Sequence, residues 1–596
     1  LEIEKNPKTV YEYTSKGNLV AVISNGTAVL GLGDIGAEAS KPVMEGKGLL
    51  FKIFADINVF DIEINEKDPD KFIEIVKGIS PTFGGINLED IKAPEAFYIE
   101  QRLKEELNIP LMHDDQHGTA IISAAALINA LELADKKIDE VKMVVNGAGA
   151  AAIACTKLYI ALGLKKENVL MCDSKGVINH KRENLTPEKL DFIAQTDIST
   201  LEQALEGADV FVGLSKGDVM TAKMLSSMAE NPVVFALANP TPEIDYNLAI
   251  ATRPDVIMAT GRSDFPNQVN NVLGFPYIFR GALDVQATGI NEEMKLAAVK
   301  AIAELAKEPV PEMVKLAYNV KNIGFGREYF IPKPFDNRLL TKVSIAVAKA
   351  AMESGISRKP IADFEEYENQ LLDRMGRDEK LIRMMQNRAR SNPKRVTLGN
   401  AEEYNVLKAA QILYEEGIAH PILLGEKKFI KEQMEKFGIH LDVPIVDPMD
   451  DDQDENRKKY RETLWRLRNR KGVNEYIAKR LVRQRDYFGP LMLKHGDTDA
   501  LIVGYSKNYR TVLRPVLEII EKAKGVDKIA SMMMILSDKK PYFFADTSIH
   551  VNPTPEEMAN IAKMAEFAIK SFAIQPRIAM LSYENFSANS ETSKKV

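Results

Sequence analysis

Two groups of acids and one lysine carry the first hints of chemistry in this chain. Glu89-Asp90 and His113-Asp114-Asp115-Gln116-His117 stand at the ends of predicted elements. Together these acids could supply three hard oxygen ligands, the kind of set that Mg2+ or Mn2+ takes. A zinc reading of His113-x-x-x-His117 competes, because that spacing puts two imidazoles on one helix face. Gly118-Thr119 argue against it by placing the helix start after the second histidine. Lys47 lies between glycines in Pro42-Val43-Met44-Glu45-Gly46-Lys47-Gly48. It reads as an ordinary surface lysine, or as a general base whose pKa a nearby metal and desolvation would lower.

Two glycine motifs compete for a nucleotide. Gly31-Leu32-Gly33-Asp34-Ile35-Gly36 matches Gly-x-Gly-x-x-Gly after a strand, with Asp56 downstream. We reject it, because Asp34 would put an anion in the phosphate cradle and Pro42 is expected to cut off the helix. Gly147-Ala148-Gly149-Ala150-Ala151-Ala152 fits better. It follows the strand Val141–Val145 and opens a long helix, and Ala152 is small enough for close helix–strand packing. Asp173 ends the next strand near the spacing of about 20 residues expected for a ribose-binding acid. A tight turn that binds no nucleotide is the alternative. Asp173 favours NAD, whereas Ser174-Lys175 and His180-Lys181-Arg182 could receive the 2′-phosphate of NADP or simply form a solvated loop.

Further amides follow two strands, in Ala238-Asn239-Pro240-Thr241-Pro242 and in Thr260-Gly261-Arg262-Ser263-Asp264 through Asn267-Gln268-Val269-Asn270-Asn271. Strand carboxyl ends face the ligand crevice of an open α/β sheet, where amides can bind a small carboxylate without adding charge.

These groups need a scaffold, and the pattern predicts one. Residues 1–118 mix short strands and helices. Val20–Ile23 and Ala28–Leu30 read as a hairpin around Asn25-Gly26, and Asp56–Ile64 alternates as a half-buried strand. Thr119–Ala134 reads as a long apolar helix. Strands at Lys142–Val145, Val169–Cys172, Val210–Val212, Val233–Leu237 and Val256–Ala259 then alternate with helices such as Ala151–Leu162, the rhythm of a doubly wound parallel sheet running to about residue 356. Residues 357–395 read as a charged helical linker. A second α/β domain occupies 396–596, with strands at Pro421–Leu424, Ala500–Val503 and Ala530–Leu536.

The whole chain has 596 residues, 45% apolar and 27% charged, with two cysteines and a net charge of −7. That composition can bury large cores. Two cysteines exclude a disulfide scaffold and a four-cysteine metal site, and suit the cytoplasm. The acidic balance argues against nucleic acid. No apolar run reaches the length of about 18 residues that spans a membrane. Residues 457–485 do carry twelve Lys or Arg against two Glu, with Trp465 and Tyr476 between them. They read as a solvated or interface helix, or as an anion site for CoA phosphates.

The spaced motifs Gly31–Asp34, Pro42-Val43…Lys47, Glu89-Asp90, His113–Ala120, Gly147-Ala148-Gly149, Asn239-Pro240-Thr241 and Asn270-Asn271 together resemble the malic enzyme family over residues 1 to about 355. The resemblance implies Lys47 as the catalytic lysine with Asp114 as its partner. It implies Glu89, Asp90 and Asp115 as ligands of Mg2+ or Mn2+, and Asn239 and Asn271 as malate contacts. Gly147, Gly149, Ala152, Asp173, Ser174 and Lys175 form the expected cofactor site. The activity implied is oxidative decarboxylation of (S)-malate to pyruvate and CO2 with reduction of NADP, in a homo-oligomer. The family's general-acid tyrosine lies in a Tyr-(Thr/Ser)-Pro-Gly segment before Leu-Glu-Ile-Glu. The sequence opens at Leu1, and Tyr11 and Tyr13 do not match that segment. Asp499–Gly504, Leu513-Arg514-Pro515, Phe544-Ala545-Asp546-Thr547, Asn552–Pro555 and Pro576–Tyr583 resemble phosphate acetyltransferase. The fusion resembles the large bacterial malic enzymes, which implies an acetyl-CoA-sensing C-terminal domain. Within it Arg514 is the candidate regulatory contact, or else a helix-surface arginine. Two rivals stay open: a bifunctional malic enzyme and acetyltransferase, and a metabolite sensor with an inactive malic site.

Overall fold

The uninterrupted apolar run Leu19-Val20-Ala21-Val22-Ile23 suits the middle of a parallel sheet covered on both faces. In the structure, a computed structural model that describes residues 1–318, 323–375, 380–537, 540–572 and 574–581, it forms β1 (Leu19–Ser24), every residue of which is buried. β1 pairs in parallel with β2 (Asn58–Glu63) and β3 (Gly85–Leu88), and β4 (Leu111–His113) completes the order β2-β1-β3-β4. The expected hairpin at Asn25-Gly26 is therefore not formed. Gly26 serves a close approach instead: its φ is +65°, and a Cβ there would lie 2.1 Å from the Gly36 carbonyl oxygen.

A helix, Ala37–Ala55, carries the chain from β1 to β2 and runs through Pro42, which does not end it as expected. Its buried Ala37, Ser40, Met44, Lys47, Phe51 and Ala55 form one stripe at helical spacing. Burial of that stripe outweighs the single backbone bond that proline forgoes. In the preceding loop the Asp34 carboxylate pairs with Lys67 at 2.8 Å. The next correction concerns the helix Asp114–Leu133, which starts at Asp114 rather than Thr119. Two acids in its first turn complement the helix dipole, and Gly118 lies inside the helix rather than before it.

The second sheet has the order β10-β9-β8-β5-β6-β7, from β5 (Met143–Asn146), β6 (Val169–Asp173), β7 (Gly176–Val177), β8 (Val210–Gly213), β9 (Val233–Ala236) and β10 (Ile257–Thr260). All pairs are parallel except β6–β7. The topological switch falls between β5 and β8, where such sheets bind ligands. Helices Phe275–Asp284, Glu292–Lys307 and Arg338–Glu353 close this unit, which spans Leu1–Gly376. The start of the expected linker belongs to it, since Tyr367 and Leu371 of the helix Phe364–Arg374 enter its core.

The second unit, Arg377–Val596, is built on a parallel sheet β13-β12-β11-β14. Its strands are β11 (Lys394–Gly399), β12 (Ala419–Leu424), β13 (Ile445–Val446) and β14 (Ala500–Ile502). β15 (Met532–Ser537) pairs antiparallel with β16 (Lys540–Ala545), a strand that its Pro541 hides from pattern reading. The basic stretch forms the helices Asp454–Arg468 and Glu475–Leu481, which bury Tyr460, Leu464 and Ala478 while Arg466 points to solvent. Ser582 and Tyr583 of the transferase-like motif lie outside the described residues. No described helix is long and apolar enough to cross a membrane.

Candidate active site

The helix Ala37–Ala55 delivers Lys47 to the carboxyl ends of β3 and β4. Lys47 Nζ lies 3.0 Å from Glu89 Oε1 and bonds Asp114 Oδ2, with almost no solvent exposure. Asn271 Nδ2 donates to the same Asp114 oxygen at 3.1 Å, while its Oδ1 accepts from Thr119. Asp114 leans back over its own helix, so a Cβ at Gly118 would stand 2.1 Å from Oδ1. This explains a glycine where a helix interior would favour alanine. The ring of Phe275 covers Lys47 Nζ, with 3.9 Å from nitrogen to centroid.

Glu89, Asp90 and Asp115 bring one carboxylate oxygen each to within 4.8 Å of one another. Asp90 holds a left-handed backbone, φ +53°, and its N–H donates to Asp115 Oδ2 at 2.8 Å. Its carbonyl accepts from Thr27 and Ala28, which fixes this strained residue to the loop after β1. Asn87, two residues before Glu89 and hence on the same strand face, donates to Glu89 Oε2 at 2.7 Å.

Crowding sets the electrostatics. Burial first, with Asp115 and Asp114 adding like charge against the opposing pull of Lys47, pushes the Glu89 carboxyl up to about 8. Burial and its acidic neighbours push Asp90 and Asp115 up to about 7. Asp115 keeps 39% of its side chain exposed, and partial burial with the nearby charges of Asp90 and then Asp114 gives the upward direction. For Lys47, burial alone would lower the pKa, but Asp114 and then Glu89 outweigh it and hold the ammonium charged. The lowering expected from sequence requires the charge of a nearby metal, which would work against these two carboxylates. Three crowded carboxylates with one ammonium to offset them are a donor set suited to a hard divalent cation.

The two histidines of the rejected zinc pair part company. His113 is fully buried with neither ring nitrogen bonded, and burial pushes it down to about 4. His117 bonds Glu100.

The glycine turn at 147–149 sits at the β5/β8 switch. Gly147 has φ +132°, and a Cβ there would lie 2.6 Å from the Leu214 carbonyl oxygen. Gly149 precedes the helix Ala150–Ala161 and faces open space, leaving its backbone approachable. Ala152 is buried in the core, a packing residue. Asn146 Nδ2 donates to Ser215 Oγ at 2.8 Å, and buried Glu243 accepts the N–H groups of Ser215 and Ala238 at 3.2 and 3.0 Å. The ends of β5, β8 and β9 are thereby tied together. Asn239 follows on that rim, its amide nitrogen against Gly261, where a Cβ would sit 2.6 Å away.

Asp173 ends β6, and Arg182 grips it with two nitrogens at 3.0 and 2.9 Å while Lys189 adds a third contact at 3.3 Å. Burial would raise this carboxyl, yet Arg182, the Lys175 N–H and Lys189 bring it down to about 2. Ser174 and Lys175 form the exposed turn into β7.

The fold thus gathers Lys47, Glu89, Asp90, Asp114, Asp115 and Asn271 in one cluster, and Gly147, Gly149, Asp173, Ser174 and Lys175 at the carboxyl ends of the neighbouring strands β5 and β6. Arg514 is three-quarters exposed on the helix Tyr509–Ile519 and paired with Glu518 at 2.9 Å. Sequence reading passed over Asn87, Glu100, Glu243 and Phe275. The strand period offered a signal for Asn87 alone.

Comparison with known proteins follows the same division. Residues 2–104 match the malic enzyme N-terminal domain, residues 116–324 the malic enzyme NAD binding domain, and residues 380–596 the phosphate acetyl/butaryl transferase family. An NADP-dependent malic enzyme of Salmonella typhimurium is 50% identical, over 100% of this chain and 79% of its own length. One from Escherichia coli is 51% identical, over 99% and 78%. An NAD-dependent malic enzyme of Rhizobium meliloti is 47% identical, over 100% and 78%. The crystal structure of malic enzyme from Pyrococcus horikoshii covers 63% of this chain and 85% of its own at 43% identity, with a TM-score of 0.58.

Proposed function

The chain belongs to the malic enzyme family, and from that premise we propose that it oxidises and decarboxylates malate to pyruvate and CO2, reducing NADP. The observation that carries this reading is Lys47, buried between Asp114 and Glu89 and beside the carboxylate cluster. Glu89, Asp90 and Asp115 would hold Mg2+ or Mn2+, which when bound supplies a Lewis acid for the charge that develops on the substrate oxygens. Lys47, whose ammonium charge a bound cation would oppose, is the group placed, once it has shed its proton, to take the C2 hydroxyl proton as hydride leaves for the nicotinamide. Asp114 lies where it can offset the positive charge that Lys47 gains, and Asn271 keeps Asp114 turned toward it. Phe275 excludes water from one side of Nζ. Asn271 and Asn239 offer amide donors to the substrate carboxylates.

The NADP reading is supported by Asp173. Its oxygens are occupied by Arg182 and Lys189, so it is a poor acceptor for a free ribose diol, whereas those cations with Lys175 suit a 2′-phosphate. The relatives named for NADP support the same reading, and Ser174 lies in the same exposed turn. The match of residues 380–596 supports a role for acetyl-CoA as an effector bound by the second unit.

The experiment is malate-dependent cofactor reduction by the purified chain, with NADP and with NAD. Lys47→Ala should lower kcat by about 10²–10⁴-fold, the range of general acid–base catalysis, and leave NADP binding intact. Near-normal turnover in that variant would remove Lys47 from the reaction.

A further inference from the structure

Glu100 grips the active-site helix at two points one turn apart. Its Oε1 accepts the His113 backbone N–H at 3.1 Å, and its Oε2 lies 3.0 Å from His117 Nε2. His113 is the N-cap of the helix Asp114–Leu133, yet its own side chain makes no cap bond. The cap comes from outside, from the helix Glu95–Glu106, through a carboxylate with almost no solvent exposure. The direction of the second bond follows from its other side. Lys295 Nζ lies 3.3 Å from His117 Nδ1. An ammonium only donates, so Nδ1 accepts and Nε2 carries the hydrogen that Glu100 receives. Lys104 reaches Glu100 at 2.7 Å, and Glu292 pairs with Lys295 at 2.5 Å, so the buried Glu100 and Lys295 each meet an opposite charge that lies nearer solvent.

Successive residues on an α-helix point about 100° apart, as 3.6 residues per turn requires. Asp114 uses one direction to meet Lys47 and Asn271, and Asp115 uses the next to meet the Glu89–Asp90 cluster. A frayed or rotated first turn would lose both together. Helix N-termini have N–H groups without internal partners and fray unless capped. A single cap bond fixes an end; a second bond one turn on also fixes rotation about the axis.

We propose that Glu100, with His117 and Lys295 behind it, is the positioning residue that sets the rotation of this helix end, holding Asp114 on Lys47 and Asp115 in the carboxylate cluster. The inference deepens the malic reading of the same site and rests on it.

The test uses the full chain, wild type beside Glu100→Ala, His117→Ala and the double variant. Mn2+ binding without turnover is read from the electron paramagnetic resonance of free Mn2+. The other readouts are kcat, KM for NADP and thermal unfolding. Glu100→Ala should weaken Mn2+ binding and lower kcat by about 10–100-fold each, as loss of an outer partner of a metal ligand does, with KM for NADP nearly unchanged. The double variant should cost little more than Glu100→Ala, because both substitutions open one grip. Wild-type Mn2+ affinity and kcat in folded Glu100→Ala overturn the proposal, as does an equal loss in NADP binding, which would mark general destabilisation. If Glu100→Ala does not fold, His117→Ala decides, and unchanged Mn2+ affinity there overturns it. A wild-type chain that binds Mn2+ but does not oxidise malate would instead defeat the functional reading, leaving Mn2+ affinity to judge Glu100.

Discussion

Around Lys47 the site gathers more negative charge than one ammonium offsets, and that excess has a measurable sign. Glu89 is pushed up to about 8, and Asp90 and Asp115 to about 7, while unfolded carboxyls titrate near 4. Between about pH 4 and 8 the metal-free folded state therefore holds protons that the unfolded chain has released. Stability falls as pH rises wherever the folded state binds more protons. Metal-free protein should lose melting temperature across that window. A divalent cation that binds the ionised acids should restore more at about pH 8 than at about pH 6. Thermal unfolding with and without saturating Mn2+ checks this, and a metal-induced increment that does not depend on pH would refute it. The residues that carry this charge were visible in the sequence, because acids and a glycine-flanked lysine announce themselves by type. Their balance was not. Whether burial or neighbouring carboxylates dominates Lys47 depends on distances that only the fold sets.

At the scale of elements, two short pieces decide what the site residues can reach. The second turn of the helix Asp114–Leu133 has a glycine at 118, where a helix interior loses about 1 kcal/mol relative to alanine. Gly118→Ala should therefore keep the helix, yet its methyl would meet Asp114 Oδ1 and crowd Asn271. We expect kcat to fall at least about tenfold with far-ultraviolet circular dichroism unchanged, since small misplacements of reacting groups are costly. Wild-type kcat would show that Asp114 has room to move. The second piece is the β6–β7 edge. Arg182→Ala should free Asp173 for ribose hydroxyls and shift the ratio of kcat/KM toward NAD by about tenfold or more, a scale set by one buried polar pairing. An unchanged ratio would remove Arg182 from cofactor selection. The parallel strands β5, β6, β8, β9 and β10 were legible because each is a short apolar run closed by a turn residue, whereas the two-residue antiparallel β7 carries no such run. The first sheet was less so. β3 and β4 are too short to show a period, and Asn25-Gly26 imitates a hairpin where the chain instead needs a tight approach to Gly36. Glu100 and Phe275 carry no motif, and meet the acids only through packing.

For the whole molecule, the question is what the second unit does for the first. It holds an open cavity of about 1030 Å³ lined by Phe543, Phe544, Asp546, His550, Met558, Ile561 and Arg577. The transferase-like segment around Asp546 forms part of that wall, and the Asp546 carboxylate is fixed by the Ser531 hydroxyl and by His550 Nδ1 at 2.6 Å. Arg514, the contact chosen from sequence, is not among the lining residues; it stands on an exposed helix face with Glu518. A cavity with aromatic walls and an arginine suits a ligand with an apolar acyl arm and phosphates, as acetyl-CoA has. Acetyl-CoA lies downstream of pyruvate, so its binding should slow malate oxidation. It can do so only by binding two states of the chain with different affinity, and to the extent that it weakens malate binding, reciprocity requires malate to weaken acetyl-CoA binding by the same factor. Initial rates against acetyl-CoA, on the full chain, on Arg577→Ala and on Arg514→Ala, separate the two candidate contacts. Inhibition that weakens about tenfold or more in Arg577→Ala and persists in Arg514→Ala places the ligand in the cavity, on the scale of one charged contact. The reverse pattern restores Arg514. Rates indifferent to acetyl-CoA in the full chain would mean that the second unit does not control the malic site through this ligand.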